Sequence, residues 1–273
     1  ADVLDVRDLI RKHGSTVPVI AKIETQLALT NIDEIIDSVD GVMVARGDLG
    51  VATSLATVPR LQKLLIAKAN RAGKPVITAT HMLRSMQDHP RPTRAEATDV
   101  ANAVLDGTDA VMLSEETAIG RYPVEAVTMM AAIAGDAESI APFAALVGPS
   151  ETTASPADAV GRAACILADD IAAAAIVTCT ESGTTARRVA RYRPRAPILA
   201  PTPHAETYRR LALVWGVTPL LNRSQPTTDE LIDGALGSVL AAGAAQHGDT
   251  VVTTAGVPVG RRGTTNLIKV EVL

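Results

Sequence analysis

Four short apolar segments, each followed by a helical pattern, constrain the fold of the first half of this chain more than any other feature. They span 17–23, 41–46, 75–80 and 109–114, and each is apolar almost throughout. Apolar strands that alternate with helices are typical of a parallel sheet with helices on both faces. The sequence therefore predicts an α/β fold with four consecutive βα units, half of the eight in a TIM-type (β/α)8 barrel.

Polar side chains that can take part in chemistry follow every one of these predicted strands. In chain order they are Lys22 and Glu24, Arg46 and Asp48, Thr80, and Ser114 and Glu116. Taken singly, each is more simply explained as an exposed strand-end or turn residue. The carboxyl ends of parallel strands meet at one edge of a sheet, where barrels of this type have their active sites. Because polar side chains follow all four predicted strands at that edge, a functional site is favoured over four unrelated turns.

The segment from Gly41 to Gly50 is the clearest of the four. Its Val-rich run predicts a buried strand, and the Arg-Gly-Asp-Leu-Gly sequence after it predicts a tight turn. Glycines allow the backbone to approach a ligand closely, because they have no Cβ. We expect Asp48, which lies between the two glycines, to face that ligand.

The second half of the chain predicts a separate domain. Residues 142–158 are rich in Pro, Ser, Thr and Gly, which indicates a linker between a first domain at 1–141 and a second at 159–273. Strands and helices alternate again in the second domain, but the last two strands, 249–255 and 265–272, have no helix between them. We therefore expect an α/β domain with a mixed sheet.

Composition excludes several classes of function. The 273 residues carry a net charge of −4, which gives no electrostatic basis for binding nucleic acid or an anionic membrane. Neither a signal peptide nor an apolar run of membrane-spanning length is present, so we expect a cytoplasmic protein. Cys165 and Cys179 are isolated in apolar surroundings, and we expect them to be core residues.

With these residues in place, the chain resembles the pyruvate kinases. The matching motifs are IAKIE at 20–24, VMVARGDLGV at 42–51, NRAGKPVI at 70–77, ATHML at 79–83, PRPTRAEATDVANAVLDG at 90–107, the segment 111–117, Ser182-Gly183, VARYRPRAP at 189–197 and GTTNLI at 263–268. They are distributed over nearly the whole chain. The resemblance implies the second half of the catalytic barrel and the complete C-terminal domain, without the first four barrel strands and the lid domain.

The resemblance implies transfer of a phosphoryl group from phosphoenolpyruvate to ADP, followed by protonation of the enolate to pyruvate. Such transfer depends on positioning and on neutralising charge. In this family, Lys22 would stabilise the transferring phosphoryl group, and Glu24 and Asp48 would ligate Mg²⁺ or Mn²⁺. K⁺ is a further cofactor of the family, but its ligands lie in the missing half.

The resemblance also implies roles for the remaining strand-end residues. The substrate carboxylate would be held by the backbone amides around Ala45, Arg46 and Gly47. Thr80, with Ser114 and Glu116 behind it, would deliver the proton to the enolate.

A hydroxyl-rich loop begins a predicted helix in the second domain. Its residues are Thr180, Ser182, Gly183, Thr184 and Thr185. Free amides at a helix start can bind a phosphate group, but the same residues fit a plain Ser/Thr helix cap equally well. By resemblance, this loop would bind a phosphorylated allosteric effector.

Three departures from the family bear on activity. Glu115 stands where the family usually has glycine, His81 replaces a glutamine, and 52–54 replaces a more acidic, proline-bearing segment. A carboxylate at position 115 would repel anionic substrates if it faced the site.

Since the chain begins with Ala1, we expect the C-terminal part of a longer pyruvate kinase that is inactive alone. The alternative is a free-standing half-barrel paralogue with a binding or regulatory role. A residual lyase activity that uses only the Glu24 and Asp48 metal site is a weaker third hypothesis. Because a half barrel has unpaired strands at both edges, we expect a homo-oligomer.

Overall fold

The computed structural model of the chain describes residues 2–140, 155–259 and 264–273. The chain divides into two compact units, Ala1–Pro142 and Phe143–Leu273. Most of the segment predicted as a linker lies outside the described residues. Its last residues are described, and there Ser155 caps a helix that begins at Pro156.

The first unit alternates strands with helices. Its elements are α1 (Asp2–Lys12), β1 (Ile20–Ile23), α2 (Gln26–Thr30), α3 (Ile32–Ser38), β2 (Gly41–Ala45), α4 (Arg46–Ala52), a 3₁₀ turn (Leu55–Thr57), α5 (Val58–Arg71), β3 (Val76–Ala79), a second 3₁₀ turn (Arg84–Gln87), α6 (Arg94–Leu105), β4 (Ala110–Met112), α7 (Glu115–Ala118) and α8 (Pro123–Ile140). The strands form one sheet in the order β1-β2-β3-β4, and every neighbouring pair is parallel. This confirms the predicted run of βα units.

The core of this unit is aliphatic, as a chain with 2% aromatic residues requires. Val42 and Val44 on β2 are fully buried and pack with Leu65 and Ile66 on α5. The first strand is shorter than predicted and begins at Ile20. Pro18 has no N–H, and the amide of Val19 donates to the side chain of Asp40 at 2.8 Å instead of to a neighbouring strand.

The structure corrects the prediction of a tight turn after β2. Arg46 begins helix α4 directly, and neither Gly47 nor Gly50 has a positive φ. Gly47 is needed for a different reason, since a Cβ there would lie only 2.7 Å from Thr80 Cγ2. The glycine therefore permits α4 to approach the end of β3.

Helix caps explain two further boundaries. The helix predicted over 26–39 is interrupted at Asn31, whose side chain donates to the carbonyl of Leu27 at 2.9 Å and ends α2. The capping box predicted at Thr93 and Glu96 is confirmed, because each side chain accepts from the backbone amide of the other residue.

The second unit contains a mixed sheet, as predicted. Its elements are α9 (Pro156–Asp170), β5 (Ala175–Thr178), α10 (Thr184–Ala190), β6 (Ile198–Thr202), α11 (Ala205–Leu211), β7 (Val217–Leu221), α12 (Thr228–Ala241), β8 (Thr250–Gly256) and β9 (Thr265–Val272). The strand order is β7-β6-β5-β8-β9. Among the described strands of this sheet, β9 alone runs antiparallel to its neighbour, with Thr253 opposite Lys269. In the part of the chain that the structure describes, no helix is long and apolar enough to cross a membrane.

Both cysteines are buried, as predicted, and each packs in the core of the second unit. Burial raises the pKa of the Cys165 thiol to about 12 and that of the Cys179 thiol to about 12. The thiolate is the reactive form, so both thiols should be inert.

Neither cysteine should react with an aromatic disulfide reagent at pH 8 while the protein is folded. At that pH, about one thiol in ten thousand would be ionised if its pKa is about 12. The absorbance of released thiolate should rise to two equivalents only after denaturant is added. Rapid release of one equivalent from the folded protein would contradict the buried placement.

Gly47→Ala should destabilise the first unit by about 1–3 kcal/mol, because the new methyl group would overlap Thr80 Cγ2. Gly135→Ala is the matched control, since this helical glycine on α8 has nothing within 4 Å of the point that a Cβ would occupy. The control should be stabilised by about 0.5–1 kcal/mol, the usual helix preference for alanine. Urea unfolding measures both changes, and equal effects would show that Gly47 is not sterically required.

Candidate functional site

Three charged side chains meet at the carboxyl ends of β1 and β2. Lys22 lies within β1, Glu24 directly follows that strand, and Asp48 lies in the first turn of α4. Lys22 Nζ donates to Asp48 Oδ2 at 2.8 Å and forms an ion pair with Glu24 Oε2. Parallel pairing of β1 with β2 brings these residues together although 24 positions separate the two carboxylates in the chain.

Lys22 and Asp48 hold each other in their charged forms. The hydrogen bond to Asp48, and then that to Glu24, raises the pKa of Lys22 to about 12. The same hydrogen bond from Lys22 lowers the pKa of Asp48 below its ordinary value. The Lys22 side chain is 52% exposed, so solvent and dissolved ions can reach the cluster. The ammonium of Lys22 and the carboxylate of Asp48 therefore stay charged at neutral pH.

This donor set fits a hard divalent cation. Glu24 and Asp48 already share one cation, the ammonium group of Lys22, so their oxygens converge on a common point. Among the described residues, no group of three or more His, Cys, Asp or Glu side chains is arranged to hold a metal ion. Mg²⁺ is commonly bound by only one or two carboxylates, with water and substrate oxygens as its other ligands.

The sequence alone suggested that Arg46 is an exposed turn residue, but its side chain is largely buried in the structure. Its side chain is only 10% exposed, and its guanidinium donates to the carbonyl of Thr80 at 2.8 Å and to Asp99 Oδ1 at 2.6 Å. It also contacts the carbonyl of Ala79 at 3.3 Å. The guanidinium of Arg46 is therefore occupied by protein groups.

The end of β3 is held in an uncommon conformation. Thr80 has a φ of 77°, which is unfavourable for a β-branched residue. The bond from Arg46 to its carbonyl and the close approach of Gly47 to its methyl group hold it there. Strain of this kind persists only where surrounding contacts enforce it, and such sites are often functional.

The predicted carboxylate-binding amides lie at the start of α4. Ala45 is the residue that precedes this helix, and no side chain caps it. The first amides of a helix have no partner within it, and they lie at the positive end of the helix dipole. The amides of Arg46 and Gly47 belong to this first turn.

Glu116 is fully buried, and both of its oxygens accept hydrogen bonds from backbone amides. Oε1 accepts from Leu83 at 3.0 Å, and Oε2 accepts from Ser114 at 2.7 Å. A carboxylate occupied in this way fixes two loops relative to each other. The structure therefore favours a positioning role for Glu116 over the predicted role in proton delivery, whereas Ser114 lies half-buried at the end of β4.

Sequence reasoning missed the polar residues that support Arg46. Asp99 lies 53 positions further along the chain, and Gln62 connects Arg46 to Asp106, to which it donates at 2.9 Å. Gln62 is only 2% exposed on the apolar face of α5. A glutamine among buried leucines needs hydrogen-bonding partners, and this was the available signal in the sequence.

The hydroxyl-rich loop of the second unit lines a pocket. Gly183 has a φ of 79° and precedes α10, and its amide donates to Thr180 Oγ1 at 2.9 Å. Ser182 and Thr184 share a hydrogen bond of 2.9 Å, and Thr185 bonds Thr265 at 2.8 Å.

The pocket is small, with a volume of about 40 Å³, and it is open to solvent. Arg223 contributes a cation to its lining. No side chain caps α10, so the plain-cap alternative does not describe this loop.

Comparisons with known proteins agree with this architecture. Residues 1–127 match the model of the pyruvate kinase barrel domain, and residues 158–271 match that of the pyruvate kinase alpha/beta domain. The chain is 52% identical over 276 residues to a pyruvate kinase of Geobacillus stearothermophilus, which covers all of this chain and 47% of that protein.

Other relatives show the same relation. A pyruvate kinase of Clostridium acetobutylicum is 49% identical over 276 residues, covering all of this chain and 58% of that protein. Pyruvate kinase 2 of Synechocystis is 51% identical over 274 residues, covering all of this chain and 46% of that protein. The chain thus spans about half the length of the curated relatives it matches. With both domain models matched in order, the chain belongs to the pyruvate kinase family.

Proposed function

We propose that this chain carries the metal-binding and phosphoryl-neutralising half of a pyruvate kinase active site. The reaction would move a phosphoryl group from phosphoenolpyruvate to ADP and give pyruvate and ATP, as in glycolysis. The observation that carries this proposal is the Lys22, Glu24 and Asp48 cluster at the carboxyl ends of β1 and β2. The chain's membership of the family supports the choice of reaction.

Each member of the cluster has a role that suits its charge. Glu24 and Asp48 would hold Mg²⁺ or Mn²⁺, which when bound supplies neutralising positive charge for the phosphoryl oxygens. Lys22, with a pKa raised to about 12, stays cationic throughout the physiological range. A metal ion bound between the two carboxylates would replace the ammonium group of Lys22 there. This exposed group would then be free to neutralise the transferring phosphoryl group.

The rest of the site would bind the carboxylate and protonate the enolate. The first-turn amides of α4 around Ala45, Arg46 and Gly47 would bind the substrate carboxylate. Among the described residues, none forms a hydrogen bond with Thr80 Oγ1, which leaves this hydroxyl available to pass a proton to the methylene carbon. Ser114, held by Glu116, would assist this transfer.

Groups outside this chain would complete the reaction. In the family, the missing barrel half carries much of the ADP site and the ligands of K⁺. Within the described sheet, β1 and β4 each have one neighbouring strand, so both are free to pair with further strands. We therefore infer that the 273-residue chain is inactive alone, and that the working enzyme is a cytoplasmic homo-oligomer.

The pocket of the second unit would bind a phosphorylated allosteric effector. Its Thr180, Ser182, Thr184 and Thr185 hydroxyls and the cation of Arg223 are groups that bind phosphate. Glu115 and the 52–54 segment, which depart from the family pattern, favour a second candidate function, a free-standing half barrel that binds or regulates a partner.

Asp48→Ala should abolish Mn²⁺ binding while the fold stays intact, because one of two shared carboxylates is lost. Electron paramagnetic resonance of free Mn²⁺ measures the affinity, and circular dichroism measures the fold. Asp5→Ala on exposed helix α1 removes the same charge elsewhere and should change neither. Unchanged Mn²⁺ affinity in the Asp48 variant would overturn the metal assignment.

The intact mass of the native polypeptide in its source cells separates the two candidate functions. We expect a mass well above the 28.4 kDa of this chain, together with phosphoenolpyruvate-dependent ATP formation by the purified native protein. The isolated 273-residue chain should show no such activity. A native mass near 28.4 kDa would favour the free-standing half barrel instead.

A further inference from the structure

Two loops meet beside the proposed active site and contact each other at three points. The first loop, residues 80–87, follows β3, and the second, residues 113–121, follows β4. Leu83 donates its amide to Glu116 at 3.0 Å, and Arg121 donates its amide to the carbonyl of Gln87 at 2.8 Å. Between these contacts, Arg84 Nε lies 2.7 Å from Glu115 Oε2.

The two adjacent carboxylates of the second loop have different surroundings. Glu116 is buried, and backbone amides occupy both of its oxygens. Glu115 is 46% exposed, and its ion pair is with Arg84. Glu115 directly follows Ser114, a residue of the proposed active site, so its charge lies one residue away from that site.

The side chain of Arg84 is held from two directions. Its Nη1 donates to Gln87 Oε1 within the first loop, while its Nε meets Glu115 in the second. The guanidinium therefore sits between the loops, and its planar group can serve both partners at once. The carboxylate of Glu115 is drawn toward the first loop, so the repulsion expected for a carboxylate that faces the site need not occur.

We propose that Arg84 is a positioning residue for the reaction, which neutralises Glu115 and makes a carboxylate at this position compatible with an anionic substrate. This inference rests on the proposed function. The proposal predicts that removing the arginine alone weakens substrate binding, whereas removing both charges does not. The pair would thus act as one neutral unit.

Four proteins test the pair: the native enzyme, Arg84→Met, Glu115→Gln and the double variant. Arg84→Met should raise the KM for phosphoenolpyruvate roughly two- to fivefold, because an exposed ion pair has a modest energy. The increase should shrink in 0.5 M salt, which screens charges over a few ångströms. Glu115→Gln should leave KM at or below the native value, and the double variant should restore the native KM.

Two controls separate charge from structure. Arg84→Lys keeps the positive charge and should keep KM near the native value. Arg71→Met removes an exposed arginine from the end of α5, which precedes the amino end of β3, and should change neither KM nor kcat. A merely structural pair would instead lower the melting temperature and kcat, with KM unchanged and no rescue in the double variant. That result would overturn the inference.

Failure of the proposed function would look different. If the native enzyme made no pyruvate, that function would be wrong, and calorimetric titration with phosphoenolpyruvate would still compare the native protein with Arg84→Met. Weaker binding by the variant would support the charge pair even then. Equal binding, or no binding by either protein, would overturn it.

Discussion

Parallel pairing of four strands is the constraint on which the rest of the first unit depends. The ladder sets Lys22 of β1 opposite Met43 of β2, so the residues just past both strand ends lie at one edge. The same register continues through β3 to β4, where Ala79 lies opposite Met112. Because the two central strands, β2 and β3, are almost entirely buried, neither their order nor their direction can change without exposing the aliphatic core.

The sheet brings the segments that follow its strands close together, and buried polar groups then fix their positions. Arg46 binds the carbonyl of Thr80 and the carboxylate of Asp99, so β2, β3 and α6 are tied at one guanidinium. Glu116 ties the loops after β3 and β4 in the same way, through backbone amides. A buried charge that lost such partners would cost several kcal/mol, which makes each of these groups strongly specific for one geometry. The strained backbone of Thr80 is held by this framework.

The sequence predicted what depends on local pattern. Strand positions, the capping box at Thr93 and the mixed second sheet follow from apolar periodicity and cap chemistry, which act over a few residues. It did not predict that Arg46 begins a helix, because Arg-Gly-Asp-Leu-Gly has poor helix propensity and tertiary contacts decide the outcome. Nor could it pair Arg46 with Asp99 or Arg84 with Glu115, since the direction of a side chain depends on packing between distant segments.

The exposed cluster differs in kind from this buried framework. Glu24 and Asp48 would repel each other without a cation, and Lys22 provides one within the protein. The ammonium therefore keeps the two carboxylates converged, which would reduce the reorganisation that binding of a metal ion requires. It also occupies the same oxygens, so a metal ion would have to displace an existing ion pair to bind there. Under the proposed function, such a site would favour a divalent cation that arrives with an anionic substrate, because the released Lys22 would then gain a new anion to neutralise.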